Sequence, residues 1–240
     1  MKASILNIRP FVGTRETFYD NDLDSDPSLR TIFLTGSDIS TKFYRFFNVN
    51  TDAFGLDLNV LRHIITPTVG YAYDHAPTVI ASHLRQLDYH DAINYSSNRA
   101  TLELTNTLQT KRDKKKVDLA VFKVNNTYYF KPKTGFGSYL GDYLFDLELH
   151  PYSWLNLSSD AAYSHRYDYF STVNYDVGYV FAPDSLMSIG HRYTRKVSSE
   201  VTFNTDWKLT PKWKIGIYER FQLKETATLR NGLREQEYRI

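Results

Sequence analysis

Along much of the chain, apolar and polar residues alternate with a period of two. Val173, Tyr175, Val177, Tyr179 and Phe181 are apolar, whereas the interleaved Thr172, Asn174, Asp176 and Gly178 are small or polar. Alternation of this kind marks a β-strand with one greasy and one wet face. The same reading fits Tyr143, Phe145, Leu147 and Leu149 against Asp142, Leu144, Asp146 and Glu148. It fits Leu155, Leu157, Ser159, Ala161 and Tyr163 against Asn156, Ser158, Asp160 and Ala162, and Val201, Phe203, Thr205 and Trp207 against Glu200, Thr202, Asn204 and Asp206. Strands of about ten residues are longer than the five or six usual in soluble sheets. At about 3.3 Å per residue and a tilt of about 45°, ten residues rise roughly 23 Å, close to the apolar band of an outer membrane.

The pattern predicts about twelve such segments, an even number as single-chain barrels have. They run over residues 5–18, 31–45, 58–73, 98–110, 117–130, 142–150, 155–165, 171–181, 186–195, 200–209, 213–222 and 232–240. Their connections alternate in length. Residues 151–154, 182–185 and 210–212 are tight and each holds a proline, which cannot donate to a ladder. Residues 46–57 and 111–116 fall on the same side. The longest connections, 19–30 and 74–97, fall on the other side with 131–141 and 224–231; short exceptions are 166–170 and 196–199. Outer-membrane barrels keep short turns in the periplasm and long loops outside, so the long-loop side reads as extracellular and both chain ends as periplasmic. Trp154 and Trp213 follow tight turns, where an aromatic girdle meets the membrane interface. The expected fold class is therefore all-β, an antiparallel transmembrane β-barrel. A soluble sandwich shares the alternation but fits the strand length and the tyrosine-rich face poorly.

Composition agrees with strands and removes several chemistries. Of 240 residues, 19 are Tyr, 15 Phe and 3 Trp, an aromatic share of 15% that favours β-structure. With 29 Lys and Arg against 27 Asp and Glu, the net charge of +2 implies no nucleic-acid partner. The absence of cysteine excludes disulfides, thiolate metal sites and thiol catalysis. No apolar run is long enough for a spanning helix. The mean hydropathy resembles that of a soluble protein, but a barrel that alternates lipid-facing and lumen-facing residues averages out the same way. Met1 to Pro10 lacks the apolar core of a signal peptide, so an exported chain is expected to be incomplete at its front.

Four constellations could carry chemistry. Asp20, Asp22, Asp24 and Asp26 alternate in the first long loop and could coordinate Ca²⁺, but they lack the glycine and distal glutamate of an EF-hand. A solvated acidic loop is the favoured reading. Lys111, Arg112, Lys114, Lys115 and Lys116 form the one basic run, read as a charged, solvated periplasmic turn rather than a lipid-phosphate site. His75, His83 and His90 with Asp88 and Asp91 share the longest loop at spacings that match no zinc pattern, and read as loop residues. Asp142, Asp146, Glu148, Asp176, Glu200, Asn204 and Asp206 would line a wet lumen, which keeps a passive porin-like channel as the alternative function. No Gly-x-Ser-x-Gly element is present, and the chain is not expected to be an enzyme. No catalytic, cofactor-binding or metal-binding residue is assigned, and no cofactor is expected.

The segment Leu61-Arg62-His63-Ile64-Ile65-Thr66-Pro67-Thr68-Val69-Gly70-Tyr71-Ala72-Tyr73 resembles the Leu-Arg-His-hydrophobic-x-x-Pro-x-x-x-Tyr strand in the C-terminal barrel of the LptD (OstA) family. Asp91 to Asn94 followed by Thr101 to Lys111, then Asp146 to Trp154 and Trp207 to Trp213, are similar to later elements of that family in the same order. The resemblance runs from about residue 8 to 240 and implies lipopolysaccharide transport in the cell outer membrane, with no chemical step. It also implies contact with outer-membrane lipids, a lipoprotein that plugs the barrel, and periplasmic bridge proteins that deliver lipopolysaccharide. Family members carry a jellyroll domain, about 26 strands and often cysteines; this chain has none of these and ends without a terminal Phe or Trp. Residues 1–240 are therefore expected to be a single barrel region, incomplete at both ends; the alternative is a small complete barrel, since twelve strands with both ends on one side would also close by themselves. His63, inside the distinctive strand, is expected to hydrogen-bond a lumen neighbour.

Overall fold

The computed structural model describes residues 2–3, 6–85, 96–131, 139–223 and 232–239. They form one antiparallel sheet of fourteen strands. These are β1 (Lys2–Ala3), β2 (Asn7–Tyr19), β3 (Ser28–Ser40), β4 (Phe43–Thr51), β5 (Leu58–Asp74), β6 (Ser97–Arg112), β7 (Lys115–Tyr129), β8 (Tyr143–Tyr152), β9 (Leu155–Ser164), β10 (Tyr169–Ala182), β11 (Ser185–Thr194), β12 (Ser198–Lys208), β13 (Lys214–Gln222) and β14 (Gly232–Arg239). The only helical pieces among the described residues are two 3-10 turns, Ala53–Gly55 and Ala81–His83. From β4 onward each strand pairs with the next in sequence. No ladder joins β14 back to β2 among the described residues, and the sheet is open.

Four of the strands are collinear halves of two longer ones. β3 pairs with β5 from Leu34↔Asp74 to Ser40↔Thr68, and β4 continues on the same edge from Phe43↔Ile65 to Phe47↔Leu61 without a change of register. β1 and β2 lie along β4 and β3 in the same order, with the register shifted by one residue between them. Counted as continuous rows, the fourteen strands make the twelve segments expected from the alternation. The break between β3 and β4 has a local cause in Pro67. Thr41 donates its N–H to the Pro67 carbonyl at 3.3 Å. In an antiparallel ladder the residue whose carbonyl faces a neighbour presents its N–H to that same neighbour. Proline has no N–H, so the reciprocal bond cannot form and the neighbouring row is interrupted at Thr41 and Lys42.

Register fixes which residues share a face. Val173, Val177 and Tyr179 of β10 lie opposite Tyr193, Ile189 and Met187 of β11, and opposite Ala161, Leu157 and Leu155 of β9. The same face carries Val12, Val69, Leu102, Leu104, Phe122, Phe145 and Phe203. These apolar side chains are bare: Val12 is 70% exposed, Leu102 62% and Ile189 56%. A sheet of this size with an uncovered apolar face is stable only where that face meets hydrocarbon.

Aromatic rings gather at both ends of that face. Near the tight turns Tyr152 stacks on Trp154 at 5.0 Å, Trp154 meets the Tyr179 edge at 5.9 Å, and Phe181 meets Trp207 at 6.4 Å. Near the long loops Tyr163, Phe170 and Phe145 form one chain of contacts, and Tyr71, Phe130 and Tyr128 another. The run from Phe170 to Tyr179 on β10 rises roughly 20 Å at about 3.3 Å per residue and about 45° tilt, which suits the apolar band between two girdles.

The turn end is tighter than expected. β4 reaches Thr51 and β6 reaches Arg112, so the connection placed at residues 46–57 shrinks to 52–57 and that placed at 111–116 shrinks to Asp113 and Lys114. Asp113 (φ 48°) and Lys114 (φ 62°) are both left-handed, as a two-residue type I′ hairpin requires. At the loop end the two longest connections fold on each other. Leu23 donates its N–H to the His83 carbonyl at 2.9 Å, Thr78 to the Thr31 carbonyl at 3.1 Å and His75 to the Phe33 carbonyl at 2.8 Å. Arg30, 1% exposed, donates from Nε to the Val79 carbonyl at 3.2 Å. Tyr19, Ala81 and Leu84 are buried in this small core.

Candidate functional site

Opposite the apolar face lies a polar one. Starting from Thr66, directly opposed residues run Thr66, Thr105, Lys123, Asp146, Asp160, Asn174, Arg192, Glu200 and Gln222 across successive strands from β5 to β13. Every position in this row is polar. Asp146, Glu148, Asp176, Glu200, Asn204 and Asp206 all stand on this face, where the alternation put them. Asp142 lies just before β8.

The acids are matched by bases. Six ion pairs join strand residues of the described chain, and all are on the polar face: Arg9–Asp38 at 3.1 Å, Arg99–Asp74, Lys123–Asp146 at 3.7 Å, Arg192–Asp176 at 2.7 Å, Lys214–Asp206 at 3.5 Å and Arg220–Glu200 at 2.5 Å. Four are diagonal, the base standing two residues along the partner strand from the position opposite the acid. Arg192 grips Asp176 with one Nη2 reaching both carboxylate oxygens, at 2.8 and 2.7 Å. In three of the pairs the acid directly opposes a glycine. Asp38, Asp176 and Asp206 oppose Gly70, Gly190 and Gly216. A Cβ on Gly190 would stand 2.1 Å from Asp176 Oδ1, and one on Gly70 2.9 Å from Asp38 Oδ1. This pairing of glycine, acid and base was readable only after register was known.

The other candidate clusters resolve differently. Asp22, nearly buried, turns its Oδ1 inward to accept the N–H groups of Asp24 at 2.9 Å and Asp26 at 3.1 Å. Asp20 accepts from Asn21, and Asp24 holds His83 at 3.0 Å. The alternating acids thus form a self-capped turn rather than a converging set of oxygens, and no His, Asp and Glu group suited to a metal occurs among the described residues. His75 Nδ1 lies 2.6 Å from the Ala76 carbonyl. His90, Asp88 and Asp91 lie outside the described residues.

His63 corrects the expectation made for it. It stands opposite Leu108 and Arg45 on the apolar face, with Ile65 and Val69 two and six positions on, so it has no lumen neighbour to bond. The basic run is also divided. Lys111 lies opposite Lys116 and Arg112 opposite Lys115, within the ladder rather than in a loose turn. Arg112 is no solvated charge: it donates to the carbonyls of Leu56 at 2.8 Å, His150 at 3.3 Å and Pro151, lacing three turns together. Tyr152 adds a bond from its hydroxyl to the Phe54 carbonyl at 2.8 Å.

An antiparallel sheet with aromatic belts bounding one bare apolar face and compensated charge on the other is the wall of a transmembrane β-barrel. The family model for LPS transport system D, LptD, matches residues 1–213. The chain belongs to the LptD family, whose role is lipopolysaccharide transport at the outer membrane. A comparison with curated proteins finds no match.

Proposed function

We propose that this chain forms part of the barrel wall along which lipopolysaccharide reaches the outer leaflet of the cell outer membrane. The observation that carries the reading is the polar face, with its row of nine polar positions from Thr66 to Gln222 and its six ion pairs. Hydrated sugars pass such a surface over polar groups and largely compensated charge, while the opposite face fixes depth in the bilayer. Because free ladder edges inside hydrocarbon leave backbone groups unsatisfied, β2 and β14 call for further strands, and residues 1–240 serve as one region of a larger barrel. The long-loop end faces outward and the turn end faces the periplasm. A plugging lipoprotein would stand against the polar face, and periplasmic bridge proteins would deliver the lipid. No bond is made or broken.

A photoreactive side chain tests this. Placed at Asn204 on the polar face it should crosslink lipopolysaccharide in cells, whereas at Trp207 in the turn-end girdle it should capture phospholipid only. If neither Asn204 nor Ser188 gives a lipopolysaccharide adduct, and the reconstituted protein conducts ions steadily, the porin-like alternative replaces this reading.

A further inference from the structure

Arg62 differs from the four arginines of the polar face that hold an acid. Arg9, Arg99, Arg192 and Arg220 are each paired with a carboxylate on this face. Arg62 instead lies over two rings, its Cζ 4.7 Å from the Tyr44 centroid and 5.6 Å from that of Phe46. Its Nε is buried with no hydrogen-bond partner among the described residues. The aromatic seat holds the guanidinium in place and leaves its donors unspent.

Two exposed lysines stand beside it. Arg62, Lys111 and Lys116 line one cavity of about 190 Å³ with Phe46, Val60 and Gln109 at the turn end. Lys111 and Lys116 are directly opposed, and like charges facing across a ladder destabilise it. The nearest acid of the ladder, Asp118, is already held by Gln109 at 2.7 Å. Val60 sits at φ 55°, an unfavourable conformation for a β-branched residue and one that concentrates at functional sites. A cavity of this size is smaller than the roughly 300 to 1,000 Å³ that encloses a drug-sized molecule. Its walls are side-chain stems and rings, with room for one compact substituent beside the three bases.

We propose that Arg62, Lys111 and Lys116 form an anion site at the turn end of the polar face, and that its ligand is a phosphate substituent on the headgroup of the transported glycolipid. The proposal rests on the conduit reading above. The planar guanidinium offers paired donors to phosphate oxygens, and the two ammonium groups supply the charge balance that a phosphate monoester or diphosphate needs. On binding, the repulsion between the opposed lysines is relieved, so the ligand recovers stability that the empty hairpin gives up.

Calorimetric titration of the full chain in detergent micelles tests this with three probes: purified lipopolysaccharide, the same lipid enzymatically dephosphorylated, and inorganic pyrophosphate. Phosphorylated lipid should bind about tenfold more tightly than dephosphorylated lipid, in line with charge-assisted bonds of this kind. That preference should vanish in Arg62→Gln and in the double variant Lys111→Gln, Lys116→Gln, and should return in Arg62→Lys. The double variant removes repulsion and should melt no lower than the parent, which separates lost binding from lost folding. If both lipids bind alike in parent and variants, the anion site is wrong while the conduit reading stands. If pyrophosphate binds but neither lipid does, the glycolipid is the wrong occupant, and the Asn204 crosslink decides the conduit reading separately.

Discussion

The two faces of this sheet use the same strands and obey opposite rules. On one face large apolar side chains stand exposed and make only ring contacts, as Trp154 does with Tyr152 and Tyr179. On the other, charges are partly covered and paired, as Glu200 is, 3% exposed with Arg220 against it. In a soluble protein the first face would be the buried one. The inversion follows from the solvent: hydrocarbon supplies no hydrogen bonds and needs none, while the polar face pairs most of the charges set close together on it.

Moving one substitution between the faces gives the largest expected contrast. Val177→Arg, on the apolar face of β10, should cost about 2 to 4 kcal/mol when the protein is unfolded by denaturant from lipid vesicles, because a charge then enters the apolar band. Ser158→Arg, on the polar face beside Asp176 and Glu148, should change stability little or raise it. Equal costs at the two positions would mean that the faces are wrongly assigned. A smaller effect is expected within the polar face. Gly190→Ala pushes a methyl into Asp176 and should cost about 1 to 3 kcal/mol by overpacking. Gly13→Ala meets only Leu34, at 3.4 Å, and should be near neutral. Replacing Asp176 by serine in the Gly190→Ala background should recover part of the loss, and a double-mutant cycle reads the coupling.

The smallest effect lies at the turn end, outside the apolar band. A hydrogen bond from Lys208 Nζ at 2.5 Å, and the charge of that lysine, hold the Asp184 carboxyl below the usual aspartate range. Because the folded value is depressed, the stabilisation is fully present above the unfolded aspartate pKa and is lost as pH falls through the lower folded value. Acid titration of the melting temperature should therefore show a slightly shallower decline for Asp184→Asn than for the parent. A decline of the same shape in both would mean the contact carries no weight in solution.

Much of the wall was legible in the chain. Period-two alternation located all twelve rows and both faces, because in a barrel each strand must satisfy two solvents along its whole length. The seven lumen positions named from parity were six strand residues of the polar face and one flanking residue. What parity could not supply is register, and the site depends on register. Gly190 and Arg192 look unremarkable until Asp176 is known to sit across from them. His63 was misplaced because a polar residue was taken to face the lumen, whereas the parity of its neighbours Ile65 and Val69 already pointed the other way. Arg112 looked like one more base in a charged run. Its role as a clamp depends on carbonyls from two other turns, which no local pattern reveals.

Pro67 carries a further consequence. A continuous ladder resists bending across its strands because every rung is stretched together, whereas a row with a rung removed yields there first. Thr41 and Lys42 place that missing rung near the middle of the β5 edge, between the collinear β3 and β4. The row made by β3 and β4 is therefore the place where this part of the wall bends most easily, while β5 beside it runs unbroken from Leu58 to Asp74.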